Sequence, residues 1–322
     1  MNKLINQPNK KNMQYSVIIP VYNEEGNVEK LNNEIKQTLD LLNKPYEIIY
    51  INDNSTDKTL KELKGLKNIK IINFNRNYGQ ATALDAGFKL AKGEIIISMD
   101  GDLQNDPKDI PRLLKKLEKE NLDVVTGWRK KRKDKGGIKI LTRVGRLLRR
   151  IIINDKVHDT GCTLRVYKKE VAKSLDIGGE MHRYILALLR WKGFKIGELI
   201  VKDRKRLNGK SKYGYSKAIR GFVDLIYMWF IQKYYQRPLH IFGATGILSG
   251  IIGVTIEAFL VYLKIFKSLD LSATAWFTLG FFFIGTGIFL FTFGIVIDLL
   301  MKIYLSTSGN EKRYYVREIL EN

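Results

Sequence analysis

Two aspartates spaced one residue apart, Asp100 and Asp102, follow directly on Ile95-Ile96-Ile97-Ser98-Met99. Such a run reads as the end of a buried parallel strand. Gly101 between the aspartates lets the backbone turn sharply. Asp106 and Pro107 then start a helix, Asp106 as its N-cap and Pro107 at the first helical position. Open α/β sheets bind ligands just beyond the carboxyl ends of their strands. Two hard oxygen ligands placed there suit Mg²⁺ or Mn²⁺ bridging a diphosphate. A solvated acidic turn has the same spelling, so the surrounding chain has to decide between the two.

The elements that must position this pair alternate. Residues 15–21, YSVIIPV, form a short apolar strand running into Tyr22-Asn23-Glu24-Glu25. Residues 27–42 place Val28, Leu31, Ile35, Leu39 and Leu42 at helical spacing. A second strand, 46–52, ends in Asp53-Asn54-Ser55-Thr56-Asp57, where Ser55 or Thr56 can cap a helix over 58–66. Residues 69–74 make a third strand and 78–91 a helix rich in Ala and Gly. The strand before Asp100 comes next, then one at 123–127 leading to Trp128-Arg129. Strands alternating with helices imply βαβ units and a parallel sheet. Farther on, 157–167 and 194–201 read as strands and 180–189 as a helix, while 202–212, KDRKRLNGKSK, reads as a flexible cationic loop.

Composition narrows the partners. The chain has 322 residues and a net charge of +22, which favours an anionic partner: nucleic acid, an anionic membrane surface or a phosphorylated substrate. A single cysteine, Cys162, excludes an intramolecular disulfide framework and reads as a small packed residue. His158, His182 and His240 are too scattered for a zinc site. Residues 1–14 carry no apolar h-region and read as a flexible polar lead-in. Residues 138–153 form a basic amphipathic helix whose apolar stripe suits an anionic membrane surface, and 214–236 form a second, aromatic toward its end.

The chain then changes character. Residues 241–263 carry one charge, Glu257, and 271–297 carry none. Both are long enough to span a bilayer, giving a two-helix hairpin over 240–303 and a tail over 304–322. Nearly all Lys and Arg precede the first span or lie in the tail, so the positive-inside rule puts both ends and the α/β domain on the cytoplasmic face of a cell membrane. Gly243, Gly246, Gly250 and Gly253 would let helices pack closely, within the chain or in a homo-oligomer.

Seven stretches in order, VIIPVYNEE (17–25), INDNSTD (51–57), RNYGQATALDAGF (76–88), SMDGDLQNDP (98–107), HDTGCTLRVYKKEV (158–171), GEMHRY (179–184) and RLNGKSKY (206–213), resemble the GT-A-fold family 2 glycosyltransferases. The likeness is to the polyprenyl-phosphate sugar synthases typified by dolichol-phosphate mannose synthase, and it covers nearly the whole soluble domain. It implies a Rossmann-like, mostly parallel GT-A catalytic domain over 15–213, with amphipathic interface helices and two C-terminal transmembrane helices. The implied reaction is inverting transfer of a sugar from a nucleotide-sugar donor to dolichyl or polyprenyl phosphate, for protein glycosylation or cell-envelope glycan synthesis. GDP-mannose is the favoured donor, with UDP-glucose or UDP-GlcNAc as alternatives.

The same resemblance assigns roles. Pro20, Tyr22, Glu24 and Asp53 would hold the nucleoside. Asp100, Asp102 and Gln104 would hold Mg²⁺ or Mn²⁺ against the diphosphate, with Gly101 between them. Arg129 would meet a phosphate, and Arg206 and Lys212 would close over the diphosphate or the acceptor phosphate. Asp159 is the family position proposed as base. The acceptor monophosphate has a second pKa of about 6 and is already nucleophilic at pH 7, so Asp159 could instead orient the acceptor or its counter-cation. Asp57 reads as a capping residue.

Two other readings compete. Another lipid or a growing polysaccharide could be the acceptor; the Gln-x-x-Arg-Trp pattern expected of processive synthases is not met at Leu189-Arg190-Trp191. A basic nucleic-acid-binding membrane protein would explain the charge but leave the strand-end carboxylates without a task, so nucleic acid is not an expected partner.

Overall fold

The computed structural model describes residues 13–130, 157–179, 181–204, 226, 229–230, 233–234, 237–267 and 275–307. The chain divides into two compact units, Met1–Gly221 and Phe222–Asn322. The sequence expectations for residues 1–12, the helix at 138–153, most of 214–236, Arg206, Lys212 and the tail beyond Thr307 lie outside the described residues.

The first unit carries β1 (Tyr15–Val21), α1 (Val28–Asp40), β2 (Tyr46–Asn52), α2 (Thr59–Gly65), β3 (Lys70–Asn73), α3 (Gln80–Leu90) and β4 (Ile95–Ser98). After a 3₁₀ turn, Pro107–Asp109, come α4 (Ile110–Lys119), β5 (Val124–Trp128), β6 (Arg165–Lys168), α5 (Lys169–Lys173), a second 3₁₀ turn, Met181–Arg183, α6 (Ile185–Trp191) and β7 (Ile196–Ile200). The seven strands form one sheet in the order β3-β2-β1-β4-β6-β5-β7.

The period of two in the strand sequences explains why both sheet faces are covered. Val17, Ile19, Ile48 and Tyr50 bury into one core with Leu31, Ile35, Leu113 and Leu117 from α1 and α4. Ile18, Ile49 and Ile51 bury into the other with Leu84, Phe88, Val171 and Leu186 from α3, α5 and α6. Each fully buried aliphatic side chain contributes about 1.5–3 kcal/mol, so the position of every strand end is set by many such contacts.

The parallel-sheet expectation holds with one exception. β1–β4 run parallel and β5 pairs parallel with β7, but β6 lies antiparallel between β4 and β5. The strand expected over 157–167 is confined to Arg165–Lys168, and residues 158–164 form a loop that reaches the carboxyl end of β4. Because β6 enters from that end, it delivers this loop to the same edge as Asp100.

The second unit contains α7 (Leu239–Lys267) and α8 (Ala275–Thr307), each long and apolar enough to cross a membrane. A Cβ on Gly246 would lie 2.7 Å from the carbonyl oxygen of Gly287, and one on Gly253 2.6 Å from that of Gly280. Two glycines seven apart on one helix therefore face two glycines seven apart on the other. The small residues are used for close packing within the helix pair.

Candidate active site

The loops after β1 and β2 are knitted together by side chains. Asn23, at φ 58°, donates its N–H to Ser55 Oγ at 3.0 Å, and its Oδ1 accepts from the Thr56 N–H at 2.8 Å. The Glu24 N–H donates to Thr59 Oγ1, and Asn27 Nδ2 donates to the Glu24 carboxylate at 2.7 Å. Ser55 and Thr56 are thus occupied by Asn52 and Asn23, not by the helix; just before α2, Asp57 accepts the Thr59 N–H at 2.9 Å. Pro20 lies in β1 opposite Ile51, and Tyr22 is exposed at the strand end.

Asp53 is buried at the end of β2 and accepts the N–H groups of Tyr78 and Gly79 at 2.7 and 2.8 Å, one on each carboxylate oxygen. Gly79 has φ 90° with open space around its Cβ position, so it is the backbone turn that requires glycine there. Asp53 thereby ties the β2 end to the start of α3. Its oxygens keep further acceptor capacity.

The acidic loop continues β4: the Met99 N–H donates to the Ile18 carbonyl at 3.2 Å. Gly101 does not supply the turn. Its role is close approach, since a Cβ there would lie 2.7 Å from Val21 Cγ1. The turn is made by Leu103, buried at φ 62°, a conformation that disfavours a bulky residue and holds only where surroundings impose it. Asp102 is buried and its Oδ1 accepts the Gln104 N–H at 3.1 Å. Gln80, the first residue of α3, donates Nε2 to Asp100 Oδ1 at 2.7 Å. Burial, then the neighbouring Asp102 charge, pushes the Asp100 carboxyl up to about 6, against the opposing pull of Thr163, Arg129 and Arg165. Asp106 caps the following turn as expected, accepting the Lys108 N–H at 3.1 Å with Pro107 next in line.

Arg129 and Asp159 meet at the end of β5. Asp159 accepts Arg129 Nε at 2.8 Å, Nη2 at 3.1 Å and the Arg129 N–H at 3.2 Å, and also the Gly161 N–H at 3.2 Å. The acid holds the Arg129 guanidinium above its ordinary range even against burial. Cys162 is fully buried, and burial pushes its thiol up to about 11, consistent with a packing role. His158 stacks on Trp128 with ring centroids 4.3 Å apart and contacts Glu198 through Nδ1 at 2.7 Å.

The segment after β7 is bolted to the acidic loop. The Arg204 N–H donates to the Gln104 carbonyl at 3.0 Å, and Asp203 bridges Asn105. Arg204 pairs with Asp106 at 2.5 Å and Glu34 at 2.6 Å, and the Lys202 N–H donates to Asp109 at 2.8 Å. The reading of 202–212 as a flexible cationic loop therefore fails at Arg204, which two carboxylates hold in place.

The donor set fits a hard divalent cation. Asp100 and Asp102 lie on one short loop, Gln104 adds an amide, and among the described residues no cluster of three or more His, Cys, Asp or Glu offers a full cage. Mg²⁺ or Mn²⁺ is commonly held by one or two carboxylates and completed by phosphate oxygens and water.

The structure thus brings together Pro20, Tyr22, Glu24, Asp53, Asp100, Gly101, Asp102, Gln104, Arg129 and Asp159 at the carboxyl ends of the sheet. Sequence reasoning missed Gln80, Leu103, Thr163, Arg165 and Arg204. Gln80 had a faint signal, a polar first-turn residue on an Ala- and Gly-rich helix; the others act through contacts distant in sequence.

The family model for glycosyl transferase family 2 matches residues 16–176. Dodecaprenyl-phosphate galacturonate synthase of Rhizobium johnstonii is 34% identical, covering 96% of this chain and 94% of its own. Undecaprenyl-phosphate 4-deoxy-4-formamido-L-arabinose transferase of Enterobacter sp. is 31% identical over 95% of this chain and 93% of its own. Among solved structures, glucosyl-3-phosphoglycerate synthase from Mycobacterium tuberculosis, in complex with Mn²⁺, UDP and phosphoglyceric acid, superposes with a TM-score of 0.55 at 19% identity, covering 68% of this chain and 78% of that one.

Proposed function

The chain belongs to glycosyl transferase family 2, and from that premise we propose that it transfers a sugar from a nucleotide-sugar donor to the phosphate of a polyprenyl lipid at a membrane surface. The observation that carries this reading is the convergence on one sheet edge of Asp53, the Asp100–Asp102 loop and the Arg129–Asp159 pair. The relatives' names, which speak of dodecaprenyl and undecaprenyl phosphate, favour a polyprenyl over a dolichyl acceptor. They also add galacturonate and 4-deoxy-4-formamido-L-arabinose to the candidate sugars, and nothing in the site favours GDP-mannose over these.

In this reading Asp53, already aligned by Tyr78 and Gly79, accepts hydrogen bonds from the donor base, with Pro20, Tyr22 and Glu24 lining the nucleoside. Asp100, Asp102 and Gln104 hold Mg²⁺ or Mn²⁺, whose charge offsets that growing on the leaving diphosphate. Gln80 orients the Asp100 carboxylate. Asp159 has its oxygens committed to Arg129 and Gly161, which suits a group that aims a cation better than one that takes a proton. The acceptor phosphate is largely ionised at pH 7, so attack on the anomeric carbon opposite the leaving group needs no strong base and inverts the configuration. Arg206 and Lys212 are assigned to the phosphates, as cations that would offset the charge of the diphosphate and of the acceptor. The hairpin anchors the enzyme, with the catalytic unit on the cytoplasmic face.

The test is incubation of the purified protein with a panel of nucleotide sugars, those named by the relatives included, and undecaprenyl phosphate, followed by mass analysis of the lipid. A glycosyl-phosphoryl-polyprenol product supports the reading. No lipid product with any donor, in protein that binds UDP or GDP, would overturn it.

A further inference from the structure

Arg165 is a charge to which the proposed reaction gives no task. It stands on β6, the strand inserted antiparallel between β4 and β5, in register with Ser98 and Thr126. Ser98 is two residues before Asp100, so β6 places Arg165 directly behind the acidic loop. The side chain is 3% exposed. Its Nη2 donates to the Thr160 carbonyl at 2.7 Å, its Nε has no hydrogen-bond partner, and among the described residues it forms no ion pair. Arg129, the other cation here, is neutralised by Asp159.

A buried guanidinium without a carboxylate against it is costly, because desolvation is not offset by a contact ion pair. The carboxylates that the fold brings to this strand end are Asp100 and Asp102, two and four positions beyond Ser98, the residue paired with Arg165. The link is geometric: Arg165 is paired with Ser98, and the chain runs from Ser98 into the acidic loop within two residues. Arg165 is too deep to touch a ligand, so whatever it does to the reaction it does at a distance, and in a water-poor interior such action is weakly screened.

Resting on the reading above, we propose that Arg165 is a positioning residue, an internal counter-charge that lowers the affinity of the Asp100–Asp102 loop for a bare divalent cation and raises the affinity of the site for a nucleoside diphosphate. The sign follows from its fixed positive charge, which opposes a cation and favours an anion at the same place. A site tuned this way holds little metal between turnovers and takes metal and diphosphate up together. A purely structural role would move both affinities in one direction, so opposite movement is the signature.

The experiment uses the full-length protein in detergent micelles. Mn²⁺ binding without nucleotide is followed by electron paramagnetic resonance, and UDP and GDP binding without metal by calorimetry. Arg165→Met removes the charge and keeps the stem; Arg165→Lys keeps the charge. In Arg165→Met, bare Mn²⁺ should bind more tightly by on the order of tenfold and the nucleotide more weakly by a similar factor, within the usual range of coupling between sites. Arg165→Lys should stay near wild type in both. Should Arg165→Met not fold, Arg165→Gln, which retains a donor for the Thr160 carbonyl, repeats the comparison. Affinities that stay put, or that weaken together, overturn the proposal. Asp102→Asn keeps the two inferences apart. Mn²⁺ binding that survives it overturns the metal assignment and this inference with it. Mn²⁺ binding lost there, with Arg165→Met unmoved, overturns this inference alone.

Discussion

Arg129 holds Asp159 with two guanidinium nitrogens and its own backbone N–H, at 2.8, 3.1 and 3.2 Å. Both side chains are about one-tenth exposed, so the pair is a mostly buried, two-pronged clamp in which Lys cannot replace Arg. If Asp159 aims Arg129 and does not take a proton, Asp159→Asn should lower kcat while leaving the shape of the pH–rate profile unchanged. Loss of the acidic limb in that variant would restore the base assignment. Arg129→Ala should lower stability by about 3 kcal/mol, the scale for leaving one buried charge without its partner, read by denaturant unfolding of the purified protein.

Catalysis should require a divalent cation. Asp102→Ala is expected to lower kcat by about 10², the scale for one lost electrostatic stabiliser, and EDTA should abolish transfer until Mg²⁺ or Mn²⁺ is restored. The Asp100 carboxyl titrates at about 6 through burial and the Asp102 charge. Its proton competes with the cation, so Mn²⁺ affinity should rise from pH 5 to pH 7 and level off above. Affinity flat across that window would contradict this role for Asp100.

What the sequence made legible were features written locally. Asp106-Pro107 has one good use, and the structure caps the turn with it. Asp100 and Asp102 could be placed because the isoleucines before them mark a strand end. The direction of β6 could not be read, since an apolar run has the same spelling parallel or antiparallel. Nor could the turn at Leu103, because leucine has no preference for φ 62° and the packed loop imposes it. Arg204 looked like part of a solvated cationic run because its partners, Glu34 and Asp106, lie 170 and 98 positions away. The glycines of the first apolar helix announced close packing, but Gly280 and Gly287, which they pack against, lie well beyond them in the chain and are joined to them only by the fold.

At the opposite end of the sheet Glu47 accepts from Ser16 Oγ at 2.6 Å, from the Lys92 N–H at 2.7 Å and from Lys70 Nζ. Burial works against its charge, but Lys70, Ser16 and Lys92 together hold the carboxyl below its ordinary range. A depressed acid stabilises the fold above its unfolded pKa of about 4.3 and loses that contribution as pH falls through the lower folded value. Glu47→Gln should therefore cost about 1–2 kcal/mol at pH 7, with the gap to wild type closing below pH 4. Thermal melts across pH check it; a constant gap would show that charge is not what Glu47 contributes.

The glycine seam of the hairpin has no room for a larger residue. A side chain at Gly253 would strike the Gly280 carbonyl and Ile284, and one at Gly287 would strike Gly246 and Gly250. Gly253→Leu should force α7 and α8 apart, reducing the yield of folded protein in detergent. Thr255→Leu, on an exposed position two residues away, should not. External cysteine labelling, strong at residue 270 and absent at residue 310, would support the expected topology; labelling at 310 from outside would reverse it.

Arg204 ties the segment after β7 to the acidic loop, through Asp106 and the Gln104 carbonyl, and to α1 through Glu34. Arg206 follows after at most about 7 Å of chain, so the clamp sets where the cations of 206–212 begin. Arg204→Ala removes two ion pairs that are about a quarter exposed on the arginine side, which limits the stability loss to about 1 kcal/mol. If Arg206 and Lys212 act on the phosphates, its effect on transfer should exceed that, because displacing Arg204 would displace the start of the segment that carries them. The double variant Arg206→Ala/Lys212→Ala should lose transfer with stability unchanged within about 0.5 kcal/mol, as for surface positions. Lys at 206 should rescue only in part, since it lacks the planar fork. Adding Arg204→Ala to the double variant should then cost little further activity, because the cations it positions are already gone. A full additional loss in the triple variant would mean that Arg204 acts on the acidic loop itself, not through the residues that follow it.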